Sequence, residues 1–329
     1  MTVHLLVTGA TGFIGGRVAA AAHRRPGVRV SLLTRHAAPV PTTAQTTTTT
    51  TTKATAKATA TTTATPATVP GDLADPLSLH GSCTGVDVLV HCGSLVTGTP
   101  EAVAAVNDQG TKALMEEAIR AGVRRIVYVS TAAVHGRGPF RGVRPGEAPI
   151  APASATSATR AAAERHVLDA GGLVLRPHLV YGTGDRWVIP GLVGLLRELS
   201  ATLTDCATLH SVIDVDTLGR AVVAAALSSS LAPGAHYVNH PDPVTATDLL
   251  AAVATQVERP PAGAAIDVPT ARARAAGSPM ARHHLGMLTV DHWFTDDDFW
   301  KSVDCSPGKG FPRTFPQAAP WYRSYLTRR

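Results

Sequence analysis

An apolar run, Val3 to Val7, meets the glycine-rich segment Thr8-Gly9-Ala10-Thr11-Gly12-Phe13-Ile14-Gly15-Gly16, and an alanine-rich stretch with helical spacing follows, Arg17 to His23. That order predicts a strand, a tight turn and a helix. A second apolar run, Val28 to Leu33, ends in Thr34-Arg35-His36. Residues 39 to 70 then break the pattern with threonine, alanine, two lysines and prolines, including the unbroken run Thr46 to Thr52. Such a segment cannot offset its ordering entropy by burial and is expected to be a disordered insert. Order resumes at Gly71-Asp72-Leu73, and the apolar stretch Val86 to Cys92 ends in the small residues Gly93-Ser94. Helices are expected over Glu101 to Ala121, closed by Gly122, and over Ser154 to Ala170. Strands are expected at Arg125 to Val129 and Leu173 to Leu175. This alternation predicts an α/β fold, a Rossmann doubly wound parallel sheet over residues 1–180. Residues 181–329 then form a smaller C-terminal substrate-binding lobe, with 209–215 and 236–239 returning to the sheet as strands.

The glycine spacing carries chemistry. Gly9 permits the tight turn, Gly12 lets backbone approach phosphates, and Gly15 lets the helix pack closely. The helix N-terminus offers free N–H groups and a positive dipole end to a diphosphate. At the end of the second strand an acid would favour NAD through the ribose 2′-hydroxyl, whereas Arg35 suits a 2′-phosphate and so NADP(H).

Composition narrows the class. Hydrophobic residues make up 44%, enough for a sizeable core, and no apolar run reaches the ~18 residues of a membrane span. The first strand leaves no room for a signal peptide, and Cys83, Cys92, Cys206 and Cys305 show no paired spacing. The expectation is a reduced, cytoplasmic protein. Net charge is +6, but the arginines are scattered with no basic run, and a basic surface that attracts an anionic cofactor explains the balance as well as nucleic acid does. No metal site is expected, because adjacent His283 and His284 do not share a helix face.

The segments TGATGFIG, GDLADPLSL, GVDVLVHCGS, VNDQGTKALMEEA, GVRRIVYVSTAAVHG and LRPHLVYGTGD together resemble the extended short-chain dehydrogenases/reductases of the NAD-dependent epimerase/dehydratase group. The resemblance covers nearly the whole chain apart from the insert. It implies that Gly9, Thr11, Gly12, Phe13, Ile14 and Gly15 hold the pyrophosphate and that Asp72 and Leu73 border the adenine. It implies that Gly93 and Ser94 line the cofactor trough, that Asn107 braces the catalytic helix, and that Pro177 and Val180 meet the nicotinamide carboxamide. Val96, His135, His178 and Trp187 would line the substrate.

One part of the pattern fails. The family uses Ser or Thr with Tyr-x-x-x-Lys; here Thr131 takes the serine slot, Thr156 the tyrosine slot and Arg160 the lysine slot. An aliphatic hydroxyl is far less acidic than a phenol; Arg160 keeps the positive charge and can bind the nicotinamide ribose of the cofactor, but a guanidinium does not release protons at accessible pH. General acid–base help is worth roughly 10²–10⁴-fold, or roughly 3–5 kcal/mol. Either the proton comes from elsewhere or the protein does not catalyse. His135 and His178 are candidate donors, and a substrate phenol beside the ketone is a third source.

The Thr/Arg pair is similar to that of the tailoring reductases of aromatic polyketides, which implies an NADPH-dependent ketoreductase acting on a polycyclic, angucyclinone-like ketone. The implied partners are a small aromatic ketone and, at most, a second copy of the chain. The alternatives are a non-catalytic dinucleotide sensor and a nucleotide-sugar epimerase or dehydratase, the latter disfavoured by the missing tyrosine. Trp187, Trp293, Phe294, Phe299 and Trp300 are expected to form a surface for a flat ligand.

Overall fold

The computed structural model describes residues 2–35, 66–258 and 265–328. The first half contains β1 (Val3–Thr8), α1 (Phe13–His23), β2 (Val28–Thr34), β3 (Ala67–Pro70), β4 (Val88–His91), α2 (Pro100–Ala104), α3 (Gly110–Arg120), β5 (Arg125–Val129), β6 (Phe140–Val143), α4 (Ala155–Asp169), β7 (Leu173–Arg176) and β8 (Leu179–Tyr181). The second half contains α5 (Val188–Leu199), β9 (Thr202–Leu203), β10 (Leu209–His210), β11 (Val212–Asp214), α6 (Val215–Leu227), β12 (Gly234–Tyr237), β13 (Val244–Thr245), α7 (Ala246–Gln256), β14 (Ala265–Ile266), α8 (Val268–Arg274), α9 (Pro279–Leu288), β15 (His292–Phe294), α10 (Asp297–Ser302) and α11 (Phe311–Leu326).

Seven parallel strands form the main sheet in the order β12-β7-β5-β4-β1-β2-β3. Its central strands are apolar on both faces because helices cover both. One face packs Leu5, Val7, Val90 and Val127 against Val18 and Ala22 of α1 and Leu218 and Val222 of α6. The other packs Leu6, Leu89 and Tyr128 against Leu114 and Met115 of α3 and Ala163 and Val167 of α4. A third core, with Leu192, Leu196, Leu250 and Phe315, holds the lobe together. Local signals start the helices: Ser154 and Ser157 form a capping box on α4, and Asp214 accepts from the N–H of Thr217 to start α6.

Two expectations need correction. The insert does not extend to residue 70. Ala67–Pro70 pairs with Ser31–Thr34 as an edge strand, and half-buried Val69 packs on the cluster of Leu33 and Leu79. Backbone pairing supplies what side-chain alternation does not, and an edge tolerates Pro70. Residues 36 to 65, most of the expected insert, lie outside the described residues. Likewise, only one of the two late segments joins the main sheet. β12 takes the edge beside β7, so 209–215 divides between β10, in a four-stranded sheet β13-β10-β15-β6, and β11, which pairs with β8.

Candidate functional site

The turn between β1 and α1 is built by exclusion of side chains. Gly9 has φ +67°, and a Cβ there would lie 2.7 Å from the backbone of Cys92 and Gly93 at the end of β4. A Cβ on Gly15 would lie 2.2 Å from the Gly9 carbonyl oxygen, so this glycine closes the helix onto the turn itself rather than onto the strand. Gly12 starts α1 with no side-chain cap and no acid in the first turn. The first-turn N–H groups of Phe13, Ile14 and Gly15 therefore have no intrahelical acceptor and can receive a phosphate. Thr11 and Gly12 are exposed at the tip of the turn.

Neighbouring positions extend this trough. Thr34 and Arg35 close β2, with Arg35 exposed. Leu73 lies across two glycines: a Cβ on Gly93 would meet it at 2.6 Å, and one on Gly110 would meet its carbonyl at 2.2 Å. Asp72 turns its carboxylate onto the N–H of Ala74 at 3.0 Å. Among the described residues, the Oγ1 of Thr34, the Oγ of Ser94, the Nε of Arg160 and the Nδ2 of Asn239 are buried without partners. Thr34 ends β2, Ser94 and Asn239 follow β4 and β12, and Arg160 reaches the last residue of β5. Unpaired buried polar atoms are costly and ask for an explanation. Their spread along the carboxyl edge of the sheet, where open α/β sheets bind ligands, fits a dinucleotide laid across it.

The acid–base slots are occupied as follows. Thr156, on the first turn of α4, donates its hydroxyl to the Val96 carbonyl at 3.4 Å. One turn on, Arg160 donates to the Val129 carbonyl at 2.6 Å, with its guanidinium 5.9 Å from the centre of the Tyr128 ring. Thr131 caps the short helical turn 132–135 by accepting from Ala133 at 3.1 Å, which leaves its hydroxyl hydrogen free to donate. Asn107 clamps both backbone groups of Leu95, at 2.7 and 2.9 Å, and reaches Thr159 at 3.1 Å. It sits in a π-helical turn, Ala105–Gln109, which interrupts the single helix expected there. Such a turn re-aims a side chain at the cost of helical regularity.

The two candidate histidine donors are placed against that role. His135 is buried; its Nδ1 donates to the Pro149 carbonyl and its Nε2 accepts from Tyr237. Burial lowers its pKa, so it stays neutral. His178 is held well below the ordinary imidazole value by burial and by His292 and His210. Neither stores a proton near neutral pH.

The rest of the substrate side is mixed. Val96 and Trp187 are exposed, and Pro177 accepts from the N–H of Ala132 at 2.9 Å. Val180 is buried in the core that also holds Phe13. The expected aromatic surface is corrected. Phe294 and Phe299 are core, Trp293 covers Gly142, and Trp300 donates to the Asn239 carbonyl, so packing consumes four of the five rings.

Two arrangements were missed by sequence reasoning. His91, fully buried at the end of β4, bridges Thr8 and Thr111 at 2.6 and 3.0 Å, and burial drives its pKa to about 3. Thr8 in turn accepts from the N–H of Gly93. Behind Thr131, Ser130 donates to Glu164 at 2.5 Å, and Arg176 forks onto the same carboxylate at 2.6 and 3.0 Å. Polar residues inside predicted apolar strands were the available signal.

A model of the 3-beta hydroxysteroid dehydrogenase/isomerase family matches residues 6–258. The chain belongs to that family. Over 256 residues it is 27% identical to the 2-alkyl-3-oxoalkanoate reductase of Stenotrophomonas maltophilia, covering 68% of this chain and 77% of that protein. A shorter match, 32% over 136 residues, is to the 4-hydroxy-2-methyl-3-oxo-4-farnesyl-3,4-dihydroquinoline-1-oxide ketoreductase of Stigmatella aurantiaca, covering 39% and 41% of the two chains. Members of this family and these relatives are oxidoreductases acting on hydroxyl or ketone groups. Among solved structures, UDP-glucose 4-epimerase of Thermotoga maritima has a TM-score of 0.71 over 98% of this chain and 100% of its own, at 14% identity. The WbmH enzyme of Bordetella bronchiseptica, in complex with NAD+, gives 0.70 over 99% and 100%, at 18% identity. At such identities the likeness shows the fold alone. No helix among the described residues is long and apolar enough to cross a membrane.

Proposed function

We propose that this family member is an NADP(H)-dependent ketoreductase that turns a ketone on a polycyclic aromatic, angucyclinone-like polyketide into a secondary alcohol. The observation that carries the reading is the state of the acid–base slots: Thr156 is an alcohol bonded to a backbone carbonyl, and Arg160 is folded onto Val129. A substrate that activates its own carbonyl needs neither. The bound dinucleotide would supply the hydride. The carbonyl carbon gains that hydride, the C=O π bond opens, and the oxygen takes a proton from a neighbouring phenol or from water. The protein's share is to bind and position, which can itself supply many kcal/mol. Phe13, Ile14 and Gly15 would hold the diphosphate by backbone N–H groups, Arg35 the 2′-phosphate, and Ser94 the trough; Thr131 has a hydrogen to offer the substrate oxygen. The ketoreductase name of the Stigmatella relative supports the reaction class. The enzyme would act in the cytoplasm, as a monomer or homodimer, without nucleic acid or membrane.

The same slots favour one second reading, a dinucleotide-binding sensor without turnover. NADPH oxidation against a panel of polycyclic ketones and quinones, with product mass, separates the two. A product heavier by two hydrogens is expected. Tight NADPH binding with no consumption across the panel would establish the sensor instead.

A further inference from the structure

His178 directly follows Pro177 at the carboxyl end of β7. Its backbone N–H is fixed by Asn239 at 2.8 Å. Its ring lies face to face with His292, 5.5 Å between centres and 9° from parallel, and is near-parallel to His210 at 6.4 Å and 14°. His210 and His292 stack on each other at 6.1 Å, and Phe294 meets the His178 ring edge-on at 5.7 Å.

Each of the two lobe histidines has at least one ring nitrogen engaged. His210 Nε2 donates to the Leu288 carbonyl at 3.1 Å. His292 Nδ1 donates to the Val290 carbonyl at 2.8 Å, while its Nε2 accepts from Gly138 at 3.2 Å, a neutral tautomer. His178 differs: among the described residues neither ring nitrogen makes a hydrogen bond within the protein, and the residue is half-buried. No group of side chains that could hold a metal ion occurs among the described residues. A half-buried imidazole with no partner inside the protein, at the ligand-binding edge of the sheet, is open to a ligand atom.

The charge around the stack fixes what that atom can be. The groups facing it are His292 and His210, both held below the ordinary imidazole pKa, and Asp291, which is neutralised by Arg141 at 2.6 Å. Protonating His178 would set a cation beside two further imidazoles. The site therefore presents a neutral N–H donor and no net charge.

We propose that His178 contacts the substrate as a neutral imidazole N–H donor to an uncharged oxygen, a ketone or phenol, and selects this over a carboxylate or phosphate ester. The proposal rests on the ketoreductase reading and deepens it by naming the substrate's chemistry. It adds a hydrogen bond to the carbonyl oxygen and does not supply the proton.

The test uses the full chain saturated with NADP+ and a flat probe, anthraquinone carrying a hydroxyl beside one ketone, titrated by fluorescence. Anthracene, which lacks the oxygens, and an anthraquinone carboxylate serve as comparisons. The hydroxyl-ketone probe should bind roughly tenfold tighter than either, the worth of one buried hydrogen bond. His178→Phe keeps the stack and removes the donor; it should lose that tenfold, with NADP+ affinity unchanged. His178→Gln restores an N–H and should recover most of it. Should His178→Phe fail to fold, the ring nitrogen resonances of His178 in the intact protein decide, since probe binding must shift the protonated one. Unchanged probe affinity in His178→Phe, no shift in those resonances, tighter binding of the carboxylate, or no binding of the hydroxyl-ketone probe would each overturn the proposal. Selective binding without turnover would uphold it while overturning the ketoreductase reading.

Discussion

The two ends of the ligand-binding edge are built by different means. At the β1–β2 end the groups that can hold a phosphate are backbone N–H groups, and the decisive residues Gly9, Gly12 and Gly15 lie within one turn of chain. At the β7–β12 end the decisive groups are side chains of Thr131, Thr156, Arg160, His178 and Asn239, steadied by His292 from 114 residues beyond His178. A phosphate asks for N–H groups and room, which a short glycine pattern supplies by itself. A ketone asks for one well-aimed donor, and aim is set by packing between distant segments. The first end is therefore intolerant of added atoms, and the second of lost partners.

The strongest challenge to that contrast is Gly15→Val. Its Cβ would lie 2.2 Å from the Gly9 carbonyl oxygen, so the turn must open. NADPH affinity should fall more than about 100-fold, equivalent to roughly 3 kcal/mol, by calorimetry. Affinity within tenfold of the parent would show that the cradle is not steric.

Glu164→Gln tests the other end with an effect of similar size. It leaves Arg176 as a buried cation without its carboxylate. Breaking such a pair costs about 3–5 kcal/mol, read as a lower denaturation midpoint. A loss below about 1 kcal/mol would mean that Ser130 and Arg176 re-pair elsewhere.

Acid should act on both ends through their histidines. Burial lowers His91 to about 3 and His210 to about 4, against 6.5 for the ordinary imidazole. The unfolded chain takes up their protons first as pH falls. Their contribution to stability is thus complete above pH 6.5 and is lost on acidification toward pH 4, by up to about 1.4 kcal/mol per pH unit for each group. Denaturation midpoints flat from pH 7 to 5 would contradict this.

Arg35→Asp probes the cofactor end without touching the turn. NADPH affinity should drop about tenfold, narrowing or reversing the preference over NADH, as expected for one charge-assisted phosphate contact. Equal binding of both dinucleotides by the parent would remove Arg35 from that role. The smallest effect is expected from Thr156→Val, which loses one 3.4 Å hydrogen bond to Val96. Turnover should stay within roughly tenfold. A collapse of turnover, with fold and NADPH affinity intact, would make the threonine part of a proton path.

The seven-stranded sheet was legible wherever a strand is buried on both faces, as in β1, β4 and β5, because an apolar run is then unmistakable. β3 was not, since an edge strand gains order from backbone pairing with β2 rather than from its side chains. The π turn at Asn107 was equally hidden: nothing in Ala105–Gln109 departs from helical composition. The aromatic cluster near the C-terminus was misjudged because sequence proximity does not say which rings pack inward, and Phe294 and Phe299 do.

By itself the sequence determined the buried strands β1, β2, β4, β5 and β7 with the helices between them, the glycine turn, the arginine after β2 and the loss of the tyrosine–lysine pair. Each is a local property, carried by periodicity or by one residue's chemistry. Tertiary structure decided that Arg160 folds onto Val129, that His135 is locked between Pro149 and Tyr237, and that residues 178, 210 and 292 stack. Those outcomes depend on contacts between groups far apart in the chain, as for Arg160 and Val129 at a separation of 31 and His135 and Tyr237 at 102. The free energy of such pairing belongs to the packed interior, where an unmet donor is costly, and has no counterpart in the linear pattern.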